Sequence, residues 1–194
     1  MDKLLKLITP AKFGNFGFRK YDVLINATAV LCNLALDAQL REKMSAIVDS
    51  KGNPHYVISA LCDLLEKKCR INITGRDAGG KGEIDGDSNK WQKLRGQVVL
   101  ALRYLSVRHA DNKREVGSRA LPYLLYILKE NNVSKPLLST TLSCLYVVSH
   151  DNDTKKSILH TEDVESILDK HQKDEDLSKI VRSLRKVLAR GADL

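Results

Sequence analysis

The segment from Thr74 to Asn89 reads TGRDAGGKGEIDGDSN, and its residue types could bind either a phosphate or a calcium ion. Gly75 is followed after four residues by Gly80 and Lys81, which approaches the GxxxxGK pattern of a phosphate-binding loop. The acidic residues from Asp85 onward begin like a calcium-binding loop. The segment therefore raises two hypotheses about chemistry, and both can be tested against the surrounding sequence.

The phosphate-binding hypothesis fails on three features of the sequence. A phosphate-binding loop needs a buried strand before it, a helix start facing the phosphates, and Ser or Thr after the lysine to hold magnesium. Residues 70–74 make a poor strand, and Gly82 stands where Ser or Thr is needed. The acidic residues that follow would repel an anion. We therefore exclude a nucleotide site here.

The calcium-binding hypothesis fails at two positions. Counted from Asp85, the sixth residue is Lys90, where glycine is needed, and the twelfth is Gly96, where a glutamate should bind the ion with both oxygens. Five glycines and alternating charges instead predict a solvent-exposed inserted loop at about residues 70–90. Whether this loop contacts a partner or carries a modification is left open.

The five histidines do not support catalysis or metal binding. None pairs with cysteine or carboxylate residues at a metal-ligand spacing, and none lies beside a nucleophile motif. We therefore expect that the chain is not an enzyme. We expect no catalytic residue, no cofactor, no metal and no small-molecule substrate.

Composition limits the class of protein. The chain has 194 residues, of which 43% are hydrophobic, enough for a sizeable core. Its 32 Lys and Arg exceed its 24 Asp and Glu, a formal charge of +8. Such an excess is compatible with nucleic acid, an acidic membrane surface or acidic protein segments, and charge alone does not choose among them.

The cysteines and the apolar runs indicate the compartment. The four cysteines lie far apart with no CxxC pair, which indicates reduced core residues of an intracellular protein. No apolar run reaches the roughly 18 to 20 residues that a membrane span needs. We therefore expect no membrane span and a location in the cytoplasm or the nucleus.

The elements of the chain are helices with a strong periodicity. The clearest helix is predicted over residues 174–190, where the apolar residues recur at spacings of three and four to form one stripe. Three acidic residues open this helix and basic residues close it, which suits the helix dipole. Similar long helices are predicted over residues 21–37, 91–107 and 135–149.

The four long helices form a repeat. Aligned on their shared pattern, they place Leu31, Leu102, Leu142 and Leu184 in register, at intervals of 71, 40 and 42 residues. The last two intervals are the length of a helical solenoid repeat, and the first is one repeat plus about 30 residues. After each of the first three long helices we predict a polar turn, a short basic helix and a second amphipathic helix, in 36–68, 108–130 and 149–171. The array is therefore predicted to consist of helix triplets.

These segments resemble armadillo repeats. AVLCNLALDAQLREKM at 29–44 is similar to the junction between the third helix of one armadillo repeat and the first helix of the next. Residues 101–116 and 141–159 are weaker versions, and RALPYLLYILKE at 119–130 resembles the second helix. The resemblance implies an all-α, right-handed α-solenoid of armadillo-like helix triplets, a partial array of about four repeats forming one domain over residues 1–194. HEAT-like helical repeats are the alternative.

The resemblance also implies a binding groove. Armadillo arrays line a concave groove with their third helices, which suits an extended or helical segment of another protein. In the peptide-binding members, an asparagine of the third helix pairs with the ligand backbone and a tryptophan lies four residues earlier. The asparagine places here are Asn33, Tyr104, Cys144 and Lys186, and the tryptophan places are Ala29, Leu100, Thr140 and Arg182. Because only Asn33 matches, that mode of binding is doubtful here.

A basic face on two of the long helices favours a different ligand. The face resembles the lysine-lined groove of catenin-type armadillo proteins, which takes acidic peptides, although an ordinary solvated helix face has the same pattern. The predicted partner-binding groove consists of Asn33, Lys93, Gln97, Tyr104, Arg108, Lys179, Arg182, Lys186 and Arg190.

We therefore expect a non-catalytic scaffold or adaptor that binds an acidic or amphipathic segment of a partner protein in the groove. The alternative is binding of nucleic acid or another acidic surface through the basic helix faces. With 3 Phe, 6 Tyr and 1 Trp, mostly at core-like spacing, the chain offers little for stacking bases, so we disfavour nucleic acid.

Overall fold

The computed structural model describes Ile8 and residues 19–49, 51–74 and 85–190. This part of the chain contains nine α-helices and no strand. The predicted all-α class is therefore confirmed for the described residues. The helices are α1 (Arg19–Leu36), α2 (Ala38–Ser45), α3 (Tyr56–Thr74), α4 (Asp85–Ser106), α5 (Ala110–Lys129), α6 (Lys135–Val148), α7 (Asn152–Leu159), α8 (Val164–Gln172) and α9 (Glu175–Ala189).

The four long helices predicted from the sequence are α1, α4, α6 and α9, and they pack side by side. α1 packs along α4, α4 along α6, and α6 along α9, so that they form one continuous sheet of helices, here called the long-helix layer. A second layer contains α3, α5 and α8, in which α5 contacts both of the others. This arrangement fits an α-solenoid, in which each unit is buried against the next.

The leucines that define the repeat lie in the core. Leu31, Leu102, Leu142 and Leu184 are all at most 1% exposed. Burying one leucine contributes about 1.5–3 kcal/mol, which makes this position a strong constraint on how each long helix is rotated. The rotation in turn fixes which residues of each long helix remain on the outer face.

The helices that follow α1, α4 and α6 each begin with a side-chain N-cap. Asp37, His109 and Asp151 cap them, each accepting a hydrogen bond from the backbone N–H three residues later at 2.8, 3.2 and 2.9 Å. Such a cap satisfies a donor that the first turn of a helix leaves without a partner. Each of these three boundaries therefore has a capped helix start.

One helix contradicts the predicted triplets. We expected a short basic helix and a separate second helix within residues 108–130, but α5 runs unbroken through both. The two helix breakers in it are accommodated: Gly117 is buried, and Pro122 is exposed. Pro122 cannot donate to the carbonyl of Ser118, but Ser118 is also exposed, so water can take that hydrogen bond. The other two boundaries do break, at residues 46–55 and 160–163.

Helices occupy both ends of the range predicted for the inserted loop. α3 continues through Thr74 and α4 begins at Asp85, so the expected loop at about residues 70–90 overlaps helices at both ends. Residues 75–84, the centre of the predicted loop, lie outside the described residues.

The three cysteines whose side chains are described are buried thiols. Burial raises the pKa of Cys32 and of Cys144 to about 12 and raises the pKa of Cys62 further. These thiols therefore stay protonated near neutral pH, and the thiolate is the reactive form of cysteine.

The close approach of α5 and α7 generates a stability prediction. A Cβ atom added at Gly117 would lie 1.9 Å from Thr154 Oγ1 and 2.7 Å from Thr154 Cβ, so the two helices would have to separate. We expect Gly117→Ala to lower the free energy of unfolding by about 1–3 kcal/mol. Urea denaturation followed by circular dichroism measures the change.

Gly96→Ala is the matched control, because a Cβ atom added at Gly96 meets no heavy atom within 4 Å. Alanine favours a helix interior over glycine, so this variant should gain about 0.5–1 kcal/mol. If Gly117→Ala proves as stable as Gly96→Ala, the described packing of α5 on α7 is wrong.

Candidate functional site

The nine residues of the predicted groove all lie on or at the end of helices of the long-helix layer. Gln97 and Tyr104 are partly buried, and the other seven are exposed: Asn33, Lys93, Arg108, Lys179, Arg182, Lys186 and Arg190. They divide among α1, α4 and α9, and none belongs to α6. The set therefore spans the layer without forming one cluster.

A cavity of about 340 Å³ opens between α4 and α6 on this layer. We call it the α4–α6 cavity. Two predicted residues, Lys93 and Gln97, line it. Sequence reasoning missed the rest of the lining, which is Asn89, Gln92, Gly96 and Leu100 of α4 with Ser134, Pro136, Leu137 and Thr140 at the start of α6.

The cavity owes its space to Gly96. This residue lies in the middle of α4, and the position where its Cβ would stand is open. Apolar surface comes from Leu100, Pro136 and Leu137, while Lys93 is exposed at the mouth. A concave site that combines apolar walls with a few polar groups is the ordinary form of a binding site.

Gln92 holds one side of the cavity in place. Its Nε2 donates to the carbonyl of Asn132 at 3.1 Å, and its Oε1 accepts from the backbone N–H of Ser134 at 2.8 Å. Both backbone groups belong to residues 130–134, here called the α5–α6 turn. The single side chain therefore fixes the turn against α4, even though Asn132 has a positive φ of 61°.

A buried ion pair also joins α4 to this turn. Arg95 Nη2 lies 2.6 Å from Glu130 Oε2, and the Arg95 side chain is only 4% exposed. The two atoms are not aligned as a hydrogen bond, so the attraction is chiefly Coulombic. The guanidinium carbon also lies 5.7 Å from the centre of the Trp91 ring, within the range of a cation–π contact.

Helix α8 satisfies the carbonyl groups at the end of α5. His171 Nε2 lies 2.9 Å from the carbonyl oxygen of Leu128, and because a carbonyl only accepts, this nitrogen carries the proton. Lys170 Nζ donates to the carbonyls of Lys129 and Glu130, each at 3.4 Å. The end of α5 is thus bound from two sides, by α4 and by α8.

The basic residues of α9 fall into two groups. Arg185 binds Glu165 and Asp169 of α8 at 2.9 and 2.7 Å, and these partners raise the pKa of its guanidinium. The other group is exposed and pairs with no carboxylate among the described residues: Lys179, Arg182, Lys186 and Arg190. Only this second group carries uncompensated charge to the surface.

Two of the four asparagine places taken from the armadillo resemblance are not exposed. Cys144, an expected asparagine place, is 0% exposed and faces the core, so it cannot touch a ligand. Tyr104 is partly buried against the core, with the Arg103 guanidinium 5.6 Å from its ring centre. Of the four asparagine places, Asn33 and Lys186 alone are exposed.

No group of three His, Cys, Asp or Glu side chains in the described part of the chain could hold a metal ion. Among the same residues no single helix is long and apolar enough to cross a membrane. The α1–α2 pair reaches that length and composition only across a bend of 115°.

Comparison with known proteins adds no identification. No family model, no curated protein and no solved structure matches the chain.

The buried ion pair generates the prediction for this site. Glu130→Gln leaves the Arg95 charge buried without a counter-charge, so we expect the free energy of unfolding to fall by about 3 kcal/mol. Chemical denaturation measures the loss. Replacing both residues, Arg95→Met with Glu130→Gln, should recover most of it, because the desolvation penalty of the charge disappears.

Glu115→Gln provides the control for this pair. It removes the carboxylate of an ion pair within α5, between Glu115 and the exposed Arg119. Partly exposed pairs of this kind contribute little, so a change within about 0.5 kcal/mol is expected. Equal losses for Glu130→Gln and Glu115→Gln would contradict the role given to the buried pair.

Proposed function

We propose that the chain is a right-handed armadillo-like solenoid that works as a non-catalytic scaffold or adaptor in the cytoplasm or the nucleus. In this proposal a partner protein lays an acidic or amphipathic segment along the groove face of the long-helix layer. HEAT-like repeats remain the alternative fold. The observation that supports the proposal most strongly is the α4–α6 cavity, which opens on that layer beside the unpaired cation of Lys93.

The shape of the layer favours an elongated ligand. α1, α4, α6 and α9 lie side by side, so their outer faces form one surface several helices wide. A stack of helical repeats commonly presents such a surface to another protein, because every unit contributes a similar strip of side chains. The α4–α6 cavity interrupts this surface near its middle, where a bound segment would cross it.

The charge on the layer favours carboxylates. Lys93 lies at the cavity, and the four exposed cations of α9 follow at the end of the layer. None of them forms an ion pair with a described residue, so an acidic ligand would not have to displace one. Exposed charges of this kind act chiefly on association rate and specificity, while apolar contacts supply more of the affinity.

Nucleic acid is the second candidate, since the same α9 cations could contact phosphates. Their spacing of three, four and four residues puts them on one face of the helix, which favours this reading. Single-stranded nucleic acid also requires exposed aromatic rings for stacking. Every Trp and Tyr side chain that the structure describes is at least partly buried, so we prefer a protein ligand.

The scaffold hypothesis predicts that partner capture depends on the α9 cations. Wild-type protein and the Arg182→Glu, Lys186→Glu variant are used as baits in nuclease-treated cell lysate, and bound proteins are quantified by mass spectrometry. We expect at least one reproducible partner whose recovery falls about tenfold or more with the variant, because reversal turns attraction of carboxylates into repulsion.

The matched control is Lys155→Glu with Lys156→Glu on α7, which makes the same change of net charge outside the long-helix layer. This variant should retain the partners. Identical capture by all three baits would contradict binding at the α9 end of the groove.

A labelled generic oligonucleotide distinguishes the nucleic-acid alternative. We expect no binding by fluorescence anisotropy at about 150 mM salt. Tight binding that weakens steeply with added salt and disappears in the α9 variant would favour the alternative over the scaffold.

A further inference from the structure

The described glycines differ in what requires them. Gly52 has a positive φ of 80°, which other residues adopt with strain, and Gly117 leaves room for Thr154. Gly96 has neither reason, because its φ is not positive and an added Cβ would stand in open space. Glycine is unfavourable inside a helix compared with alanine, so the packing of α4 does not account for this residue.

Gly96 keeps the α4–α6 cavity open. It lies one turn from Lys93 and one turn from Leu100, on the face of α4 that lines the cavity. A side chain at this position would project into the space beside α6. The open volume of about 340 Å³ is far more than a single water molecule needs.

The lining points to the chemistry of the occupant. Leu100 and Pro136 present apolar surface, which favours a large apolar group, and the buried Leu137 also lines the cavity. At the mouth, Lys93 is exposed and forms no ion pair with any described residue, whereas the nearby Lys90 is neutralised by Asp22 at 3.0 Å. A carboxylate next to the apolar group would therefore find one available cation.

The cavity is also formed in advance of binding. Both ends of the Gln92 amide are engaged by the α5–α6 turn, and Arg95 holds Glu130 of the same turn. A ligand would not have to order this wall, and preorganisation of that kind reduces the entropy cost of association.

We propose that Gly96 is the floor of an anchor socket for one leucine, methionine or aromatic side chain of the partner segment. An Asp or Glu within one turn of that side chain pairs with Lys93. This inference rests on the proposed scaffold function and adds to it the chemistry of the recognised segment: one large apolar residue flanked by acidic residues.

Selection from a random 12-residue peptide library displayed on phage tests the socket, with the full chain as target. Enriched peptides are synthesised, and their Kd values are measured by fluorescence anisotropy against wild type, Gly96→Phe, Gly96→Ala and Lys93→Glu. Circular dichroism and Tm establish that each variant is folded. Gly96→Phe fills the socket, whereas Gly96→Ala adds a single methyl group.

We expect the enriched peptides to carry one large apolar residue with Asp or Glu within about four positions. Gly96→Phe should weaken their binding about tenfold or more, since it occupies the place of the anchor. Gly96→Ala should stay within about threefold of wild type, and Lys93→Glu should weaken binding about threefold to tenfold.

Three results would overturn the socket: peptides that bind Gly96→Phe as well as wild type, enriched peptides that lack acidic residues, and a selection that enriches nothing. If the Arg182→Glu, Lys186→Glu variant still loses captured partners, or binds the enriched peptides more weakly than wild type does, the scaffold function stands and the socket alone fails. If neither the socket substitutions (Gly96→Phe and Lys93→Glu) nor the α9 substitutions (Arg182→Glu and Lys186→Glu) affect any peptide or any captured partner, both proposals fail.

Discussion

The end of α5 is the constraint on which the described array depends. A helix leaves its last carbonyl groups without partners, and those of α5 lie between two other elements. α8 supplies donors from Lys170 and His171, while α4 holds the following turn through Gln92 and the Arg95–Glu130 pair. One helix end therefore holds α4, α5 and α8 together. The same contacts form a wall of the α4–α6 cavity, so the fold and the candidate site share their support.

Side chains from neighbouring helices also donate to the carbonyl groups at other helix ends. Arg41 of α2 donates to the carbonyl of Ala35 at 3.1 Å and to that of Tyr104 at 3.4 Å, which joins the ends of α1 and α4. Asn112 of α5 donates to the carbonyl of Leu105 at 2.8 Å and to Ser45 Oγ at 2.6 Å, which joins α5 to α2. Polar side chains at helix ends therefore set the distance between units, and apolar side chains set the rotation of each helix. Together, this spacing and this rotation determine which side chains lie on the outer face of the long-helix layer.

Sequence periodicity was sufficient for the long helices, because the position of Leu31, Leu102, Leu142 and Leu184 is a local property of each helix. It failed where the outcome depends on a neighbour. The single helix α5 depends on solvent access at Pro122, and the burial of Cys144 depends on how α6 packs against the rest of the array. The α4–α6 cavity could not be predicted for the same reason, because the open space beside Gly96 depends on how α6 packs against α4. Lys93 and Gln97 were found because a charged or polar helix face is visible in one sequence.

The division of cations on α9 shows why sequence pattern alone could not rank the charged residues. Lys179, Arg182, Arg185 and Lys186 lie within two turns of one helix, yet Arg185 alone faces carboxylates of α8. The charge of Arg185 is neutralised by these carboxylates, whereas the other three side chains are exposed to solvent. The same distinction separates Lys90 from Lys93 on α4, since Asp22 neutralises the first. The described surface therefore retains unpaired positive charge at two separate places, at Lys93 and along α9, while the adjacent cations are paired. A segment that satisfied both would have to cross α6, the one long helix between them, whose exposed start carries Pro136 beside the cavity.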